Sequence, residues 1–166
     1  MAIQSFHGTQ EEFEGPFQLS ERGSFGAGIY SGDMRCAVEW ADCCGGIVME
    51  LSVELANPYY YTVDYDDAVD LDSPAVPLIR DIFNTSEQAI LIQESMDSDA
   101  LFGDDVKDRL LALGHDGLIA DFGDGAYEFV AFNPEAVTVV GTHTVEECRQ
   151  FIRDQSVKKV SSGPRM

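Results

Sequence analysis

The stretch Gly23-Ser24-Phe25-Gly26-Ala27-Gly28-Ile29-Tyr30-Ser31-Gly32-Asp33 sets the frame for the rest of the chain. Its four glycines surround Tyr30. Glycine relaxes the backbone limits and removes the side chain, so another surface can come close. A loop of this kind can hold a flat ligand against the tyrosine ring. It is neither of the usual phosphate loops: the dinucleotide spacing of glycines is absent, and no Lys-Ser or Lys-Thr follows the last glycine.

Upstream, Ile3–Thr9 reads as a short strand ending at Gly8, and Gln10–Arg22 as a loop broken at Gly15-Pro16. Downstream, Ser31 or Asp33 can cap a helix running to about Cys43, with Met34, Ala37, Val38 and Ala41 at helical spacing. Ile47–Leu55 is the clearest strand, since Ile47, Met49, Leu51, Val53 and Leu55 alternate with Glu50, Ser52 and Glu54. Tyr59-Tyr60-Tyr61 continues as an extended edge after Asn57-Pro58.

Thr62–Ser73 carries Asp64, Asp66, Asp67, Asp70 and Asp72 without the central glycine and closing glutamate of a calcium loop, so it reads as solvated acidic loop. Val76–Phe83, Glu87–Gln93 (capped by Thr85 or Ser86) and Asp104–Leu113 read as helices. In the last, Val106, Leu110, Leu111 and Leu113 are expected to point inward, and Gly114 stops it. Gly117–Phe122 and Ala126–Phe132 flank Gly123-Asp124-Gly125, a hairpin signal. Val137–Gly141 is a further strand, and Val145–Asp154 a last helix. Strands dominate both ends and helices the middle, which gives one α+β domain over residues 1–154. Residues 155–166 are expected to be a disordered basic tail.

The chain has 166 residues and a net charge of −20. From residue 149 onward five basic residues face Asp154 alone, so this end carries +4 and the remainder −24. Such a body repels nucleic-acid backbones and favours basic partners. No segment approaches the roughly 20 apolar residues of a membrane span, and Met1–Phe6 lacks the features of a signal peptide; a soluble cytoplasmic protein is expected. Cys36, Cys43, Cys44 and Cys148 include no Cys-x-x-Cys pair, and with three scattered histidines no protein metal site is expected.

Three polar residues could share one cleft. His7 ends the first strand, Tyr30 stands at the mouth of the glycine loop, and Glu128 interrupts the apolar strand Ala126–Phe132. A carboxylate there is costly to bury without a partner. Simple alternation offers the other reading, with Glu128 in solvent and Tyr127 and Phe129 inside.

Phe6-His7-Gly8-Thr9, then Gly26-Ala27-Gly28-Ile29-Tyr30-Ser31, then Tyr127-Glu128-Phe129 resemble the three signature segments of NAD-dependent ADP-ribosyltransferases. The branch is the histidine–tyrosine–glutamate one, shared by diphtheria toxin and the poly(ADP-ribose) polymerases. Met49–Pro58 and Gly114-His115-Asp116-Gly117-Leu118-Ile119 are similar in order and kind to two lesser segments of that family. The resemblance implies a fold of two small, mostly antiparallel sheets that form an NAD cleft, with helices packed around them.

It also implies roles. Glu128 would be the fixed anion beside an oxocarbenium-like ribose, stabilising the transition state more than the ground state. Gly8 would offer backbone groups to the nicotinamide carboxamide, His7 would bond the adenosine-side ribose, with Thr9 beside it, and Tyr30 would stack on nicotinamide. The family's second aromatic falls at Ala41 here, so its neighbour Trp40 is the candidate for that wall. Ala126 stands where the arginine-modifying branch has an acidic or amide residue. The implied activity is mono-ADP-ribosyl transfer from NAD to a macromolecule, most simply a protein, by a small stand-alone effector of toxin, phage or anti-CRISPR type. Two alternatives remain open: an acidic, non-catalytic decoy for a nucleic-acid-binding protein, carried by Asp64–Asp72 and Asp97–Asp108, and NAD hydrolysis without transfer.

Overall fold

The computed structural model describes residues 2–10, 16–20, 23, 25–42, 46–63, 75–97 and 99–161. The Cys43-Cys44 pair and the Asp64–Asp72 acidic run lie outside the described residues. The elements are β1 (Ala2–Thr9), β2 (Ile29–Gly32), α1 (Met34–Asp42), β3 (Ile47–Glu54) and β4 (Tyr59–Thr62), followed by α2 (Ala75–Ile82), α3 (Thr85–Asp97) and α4 (Asp99–Ala112). The chain closes with β5 (Gly117–Gly123), β6 (Ala126–Ala131), a short 3₁₀ turn (Pro134–Ala136), β7 (Val137–Thr144) and α5 (Val145–Ser161).

The α+β class stands, but the described strands form one mixed sheet instead of two, ordered β4-β5-β6-β2-β1-β3-β7. The β4–β5 pair is parallel and every other pair antiparallel. What joins the two halves is Gly32 of β2, which pairs with Phe6 of β1 on one side and Glu128 of β6 on the other. The β1–β2 seam is that single register pair.

Alternation along the strands sorts the core. Met49, Leu51 and Val53 of β3, Ile119 of β5 and Ala131 of β6 meet Ile29 and Phe17 on one face, here called inner. On the outer face, α2, α3 and α4 cover β5 and β6 through Leu78, Ile79, Leu91, Val106 and Leu110. Helices α1 and α5 cover β1 and β3 through Ala37, Val38, Ala41 and Cys148, packed on Val48. The face expected for Ile47–Leu55 is the one observed. Asp116 fastens the two halves of the chain at the sheet end, its carboxylate accepting from the backbone N–H groups of Ala56 (2.6 Å) and Asn57 (3.0 Å).

Several local expectations change. Asp33, not Ser31, caps α1: its Oδ1 accepts from the N–H groups of Arg35 (3.0 Å) and Cys36 (3.1 Å). Asn84 caps α3 in place of Thr85 or Ser86, accepting from Glu87 N–H at 3.2 Å. Leu111 and Leu113 are each 46% exposed, because the inward stripe of α4 is set by Val106 and Leu110. Helix α5 runs on to Ser161, through most of the expected tail, and its residues 153–159 are solvent-exposed. Among the described residues no helix is long and apolar enough to cross a membrane.

Candidate functional site

The site begins with a row across three strands. Phe6, Gly32 and Glu128 stand side by side on β1, β2 and β6, and Ala120 of β5 flanks Glu128 on its far side. The neighbours of Glu128 on both adjoining strands are thus among the smallest residues. A Cβ added at Gly32 would stand 2.8 Å from Tyr127 O and 3.6 Å from Cys36 Cβ, so this part of the row is closely packed under the first turn of α1. No hydrogen bond from the described residues reaches the Glu128 carboxyl, and burial pushes its pKa up from 4.5 to about 7. The Cys36 thiol is pushed up as well, by burial first and then by the carboxylates of Asp33, Glu128 and Glu39. Glu128 is half-buried on the face opposite Tyr127 and Phe129, as alternation expects, and its carboxyl has no hydrogen-bond partner among the described residues.

Tyr30 lies diagonally across from Glu128 on the same face, since its register partner is Val130. Its hydroxyl donates to Gly26 O (2.7 Å) and accepts from Phe25 N–H (3.1 Å). Its ring lies near-parallel to that of Phe25, with centroids 6.5 Å apart. The glycine loop is wrapped around this phenol. A Cβ at Gly23 would come within 2.1 Å of Tyr30 Oη, and Gly26 has φ +88°, with Gly103 O of α4 2.5 Å from where its Cβ would be. Lys107 of α4 holds the loop from behind, its Nζ donating to Ala27 O at 2.7 Å.

His7 points to the inner face. A Cβ on the next residue, Gly8, would meet Ala37 O of α1 at 2.2 Å on the outer side, so alternation turns His7 the other way. Its Nδ1 lies 2.7 Å from Tyr30 O, and its ring meets Phe17 edge-on at 5.7 Å. A carbonyl only accepts, so Nδ1 carries the proton and Nε2 is left as an acceptor. Beyond the Phe6–Gly32 pair, β1 and β2 part. At this fork a cleft of about 500 Å³ opens, lined by His7, Phe17, Gly28, Ile29 and Tyr30, among others.

The structure thus brings His7 and Tyr30 into direct contact and puts Glu128 one diagonal step from Tyr30. His7 and Glu128 are on opposite faces of the sheet, and Glu128 does not line the cleft at the fork. Neither do Gly8, Thr9 or Trp40. The missing side chain of Gly8 serves close packing on α1, Thr9 pairs with Ile47 at the strand end, and Trp40 is 71% exposed on α1. Phe17 and Lys107 were not foreseen: Phe17 sat in an apparently loose segment, and Lys107 on a helix far along the chain. Among the described residues, no three His, Cys, Asp or Glu side chains are grouped to hold a metal ion.

No protein-family model matches the chain, and no curated protein matches it. Among solved structures, the crystal structure of an anti-CRISPR protein is similar at 13% identity and a TM-score of 0.44, covering 86% of this chain and 95% of that one. A likeness at that level supports no assignment of fold family or function.

Proposed function

We propose that the protein cleaves NAD at the nicotinamide–ribose bond and transfers ADP-ribose to a protein acceptor. The observation that carries this reading is the Glu128 carboxyl, raised in pKa by burial, without a hydrogen-bond partner among the described residues and on the same sheet face as Tyr30. A half-buried carboxyl with no partner among the described residues suits a ligand that brings its own hydroxyl donors and positive charge, as the nicotinamide riboside half of NAD does.

The roles follow from the geometry. Glu128, once ionised, accepts from a ribose hydroxyl and places its charge where the ribose turns cationic. Tyr30 stands on the same face, its ring fixed by its two hydroxyl bonds. His7 presents Nε2 as an acceptor to a hydroxyl in the cleft, while its Nδ1–H ties the ring to Tyr30 O. The reading makes one geometric demand: the dinucleotide crosses the fork between β1 and β2, because His7 and Glu128 face opposite sides of the sheet.

The test is nicotinamide release from NAD by wild type and Glu128→Gln, with a labelled adenylate to follow transfer. Loss of one preorganised group of this kind costs about 100–1,000-fold. Equal release by the two proteins removes Glu128 from the chemistry. Free ADP-ribose without labelled protein converts the reading to NAD hydrolysis.

A further inference from the structure

The inner face carries a second feature at the far end of the sheet, on the edge strand β4. Parallel pairing sets Tyr60 beside Ile119 and Thr62 beside Asp121, while antiparallel pairing sets Tyr127 opposite Asp121 and Phe129 opposite Ile119. Tyr60, Asp121, Tyr127 and Phe129 therefore share one face. Tyr60 is 54% exposed, and its hydroxyl donates to Asp121 Oδ2 at 2.7 Å. The N–H of Gly123 donates to Asp121 Oδ1 at 2.9 Å. The rings of Tyr127 and Phe129 lie near-parallel, with centroids 6.0 Å apart and 11° between planes.

The electrostatics of this patch are one-sided. The Tyr60 and Gly123 bonds hold Asp121 below the usual carboxylate range, so it is anionic at neutral pH. No Lys, Arg or His among the described residues neutralises it. Aromatic faces present negative charge density, and here exposed Tyr60 and half-buried Tyr127 and Phe129 share one face with the carboxylate. The net charge of −20 adds a long-range pull on cations.

We infer that Tyr60, Asp121, Tyr127 and Phe129 form a recognition site for an arginine side chain in a basic segment of a partner protein. Arginine fits better than lysine for two reasons. Each Asp121 oxygen keeps lone pairs beyond the one its present bond uses, which suits the two-pronged guanidinium, and the flat cation stacks on Tyr60 while bonding. The inference concerns docking, not modification of the arginine, and stands whether or not NAD is the substrate.

The experiment titrates the full chain with an acetylated, amidated tri-arginine peptide, and separately with tri-lysine, following backbone amide shifts by NMR. The expected result is arginine-selective shifts centred on Tyr60, Gly123 and Tyr127. Tyr60→Leu, which keeps apolar bulk and removes the π face, is expected to weaken tri-arginine binding about two- to fivefold, and Asp121→Asn by a similar factor. Glu54→Gln makes the same charge change at an exposed site on β3 and is expected to leave binding nearly unaltered. Equal weakening by Glu54→Gln and Asp121→Asn, or shifts spread over the acidic surface, would overturn the site in favour of non-specific charge attraction. Failure of the NAD assay leaves this result untouched, and the reverse also holds.

Discussion

Replacing Glu128 with Gln tests the candidate site without any substrate. In the folded protein the carboxyl holds its proton up to about pH 7, whereas in the unfolded chain it releases it near the ordinary value of 4.5. Between those values the folded state binds more protons than the unfolded one. Stability therefore falls as pH rises through this window, the opposite of what a paired carboxylate produces. Integrated from about pH 5 to about pH 8, the difference removes on the order of 2.5 kcal/mol. Glutamine keeps the size of the side chain and has no proton to lose. The variant should match wild type near pH 5 and exceed it by about 2 kcal/mol near pH 8.

Urea unfolding followed by far-ultraviolet circular dichroism at the two pH values supplies the four free energies. The comparison is between slopes, so acids that act in both proteins cancel. Glu50 and Glu146, lowered chiefly by their bonds to His143 and Arg153, are two such groups. So does the general repulsion of a chain at −20. Parallel pH profiles for wild type and Glu128→Gln would mean that the carboxyl ionises normally. That would refute the reasoning from the raised acid to function, because a hydrated or paired Glu128 is an ordinary surface acid. The expected gain in stability on removing it is the mark of a group retained for something other than folding.

Two further substitutions probe the surroundings. Gly8→Ala would drive a methyl into the α1 backbone, 2.2 Å from Ala37 O and 2.8 Å from Ala41 N, and should cost on the order of 1–3 kcal/mol in urea unfolding; an unchanged midpoint would contradict that contact. Tyr30→Phe leaves Gly26 O and Phe25 N–H without their hydroxyl and should destabilise by about 1–2 kcal/mol while keeping the ring, so nicotinamide release should fall far less than in Tyr30→Ala.

How far the sequence could be read depended on whether each feature is local. The strand Ile47–Glu54 announces its buried face because alternation is written in consecutive residues, and the Gly123-Asp124-Gly125 hairpin because all three residues need positive φ, observed at 85°, 54° and 81°. Asp33 as the α1 cap is likewise a short-range decision. The joining of the halves into one sheet is not local. It rests on Gly32 meeting Phe6 and Glu128 from opposite sides, which no spacing in the chain records.

The same distinction runs through the site. Glu128 was visible as a charge in an apolar strand, yet its bareness depends on Gly32 and Ala120 being its neighbours on strands far away in the chain. The glycines that suggested a ligand loop have a nearer use: Gly23 clears the Tyr30 hydroxyl and Gly26 lets α4 approach. The tyrosine is consequently held in place by the loop that was expected to hold the ligand. Function, on this view, lies less in the glycine loop than in the acid one diagonal step from Tyr30, since the loop's groups have found partners within the fold and, among the described residues, the acid has none.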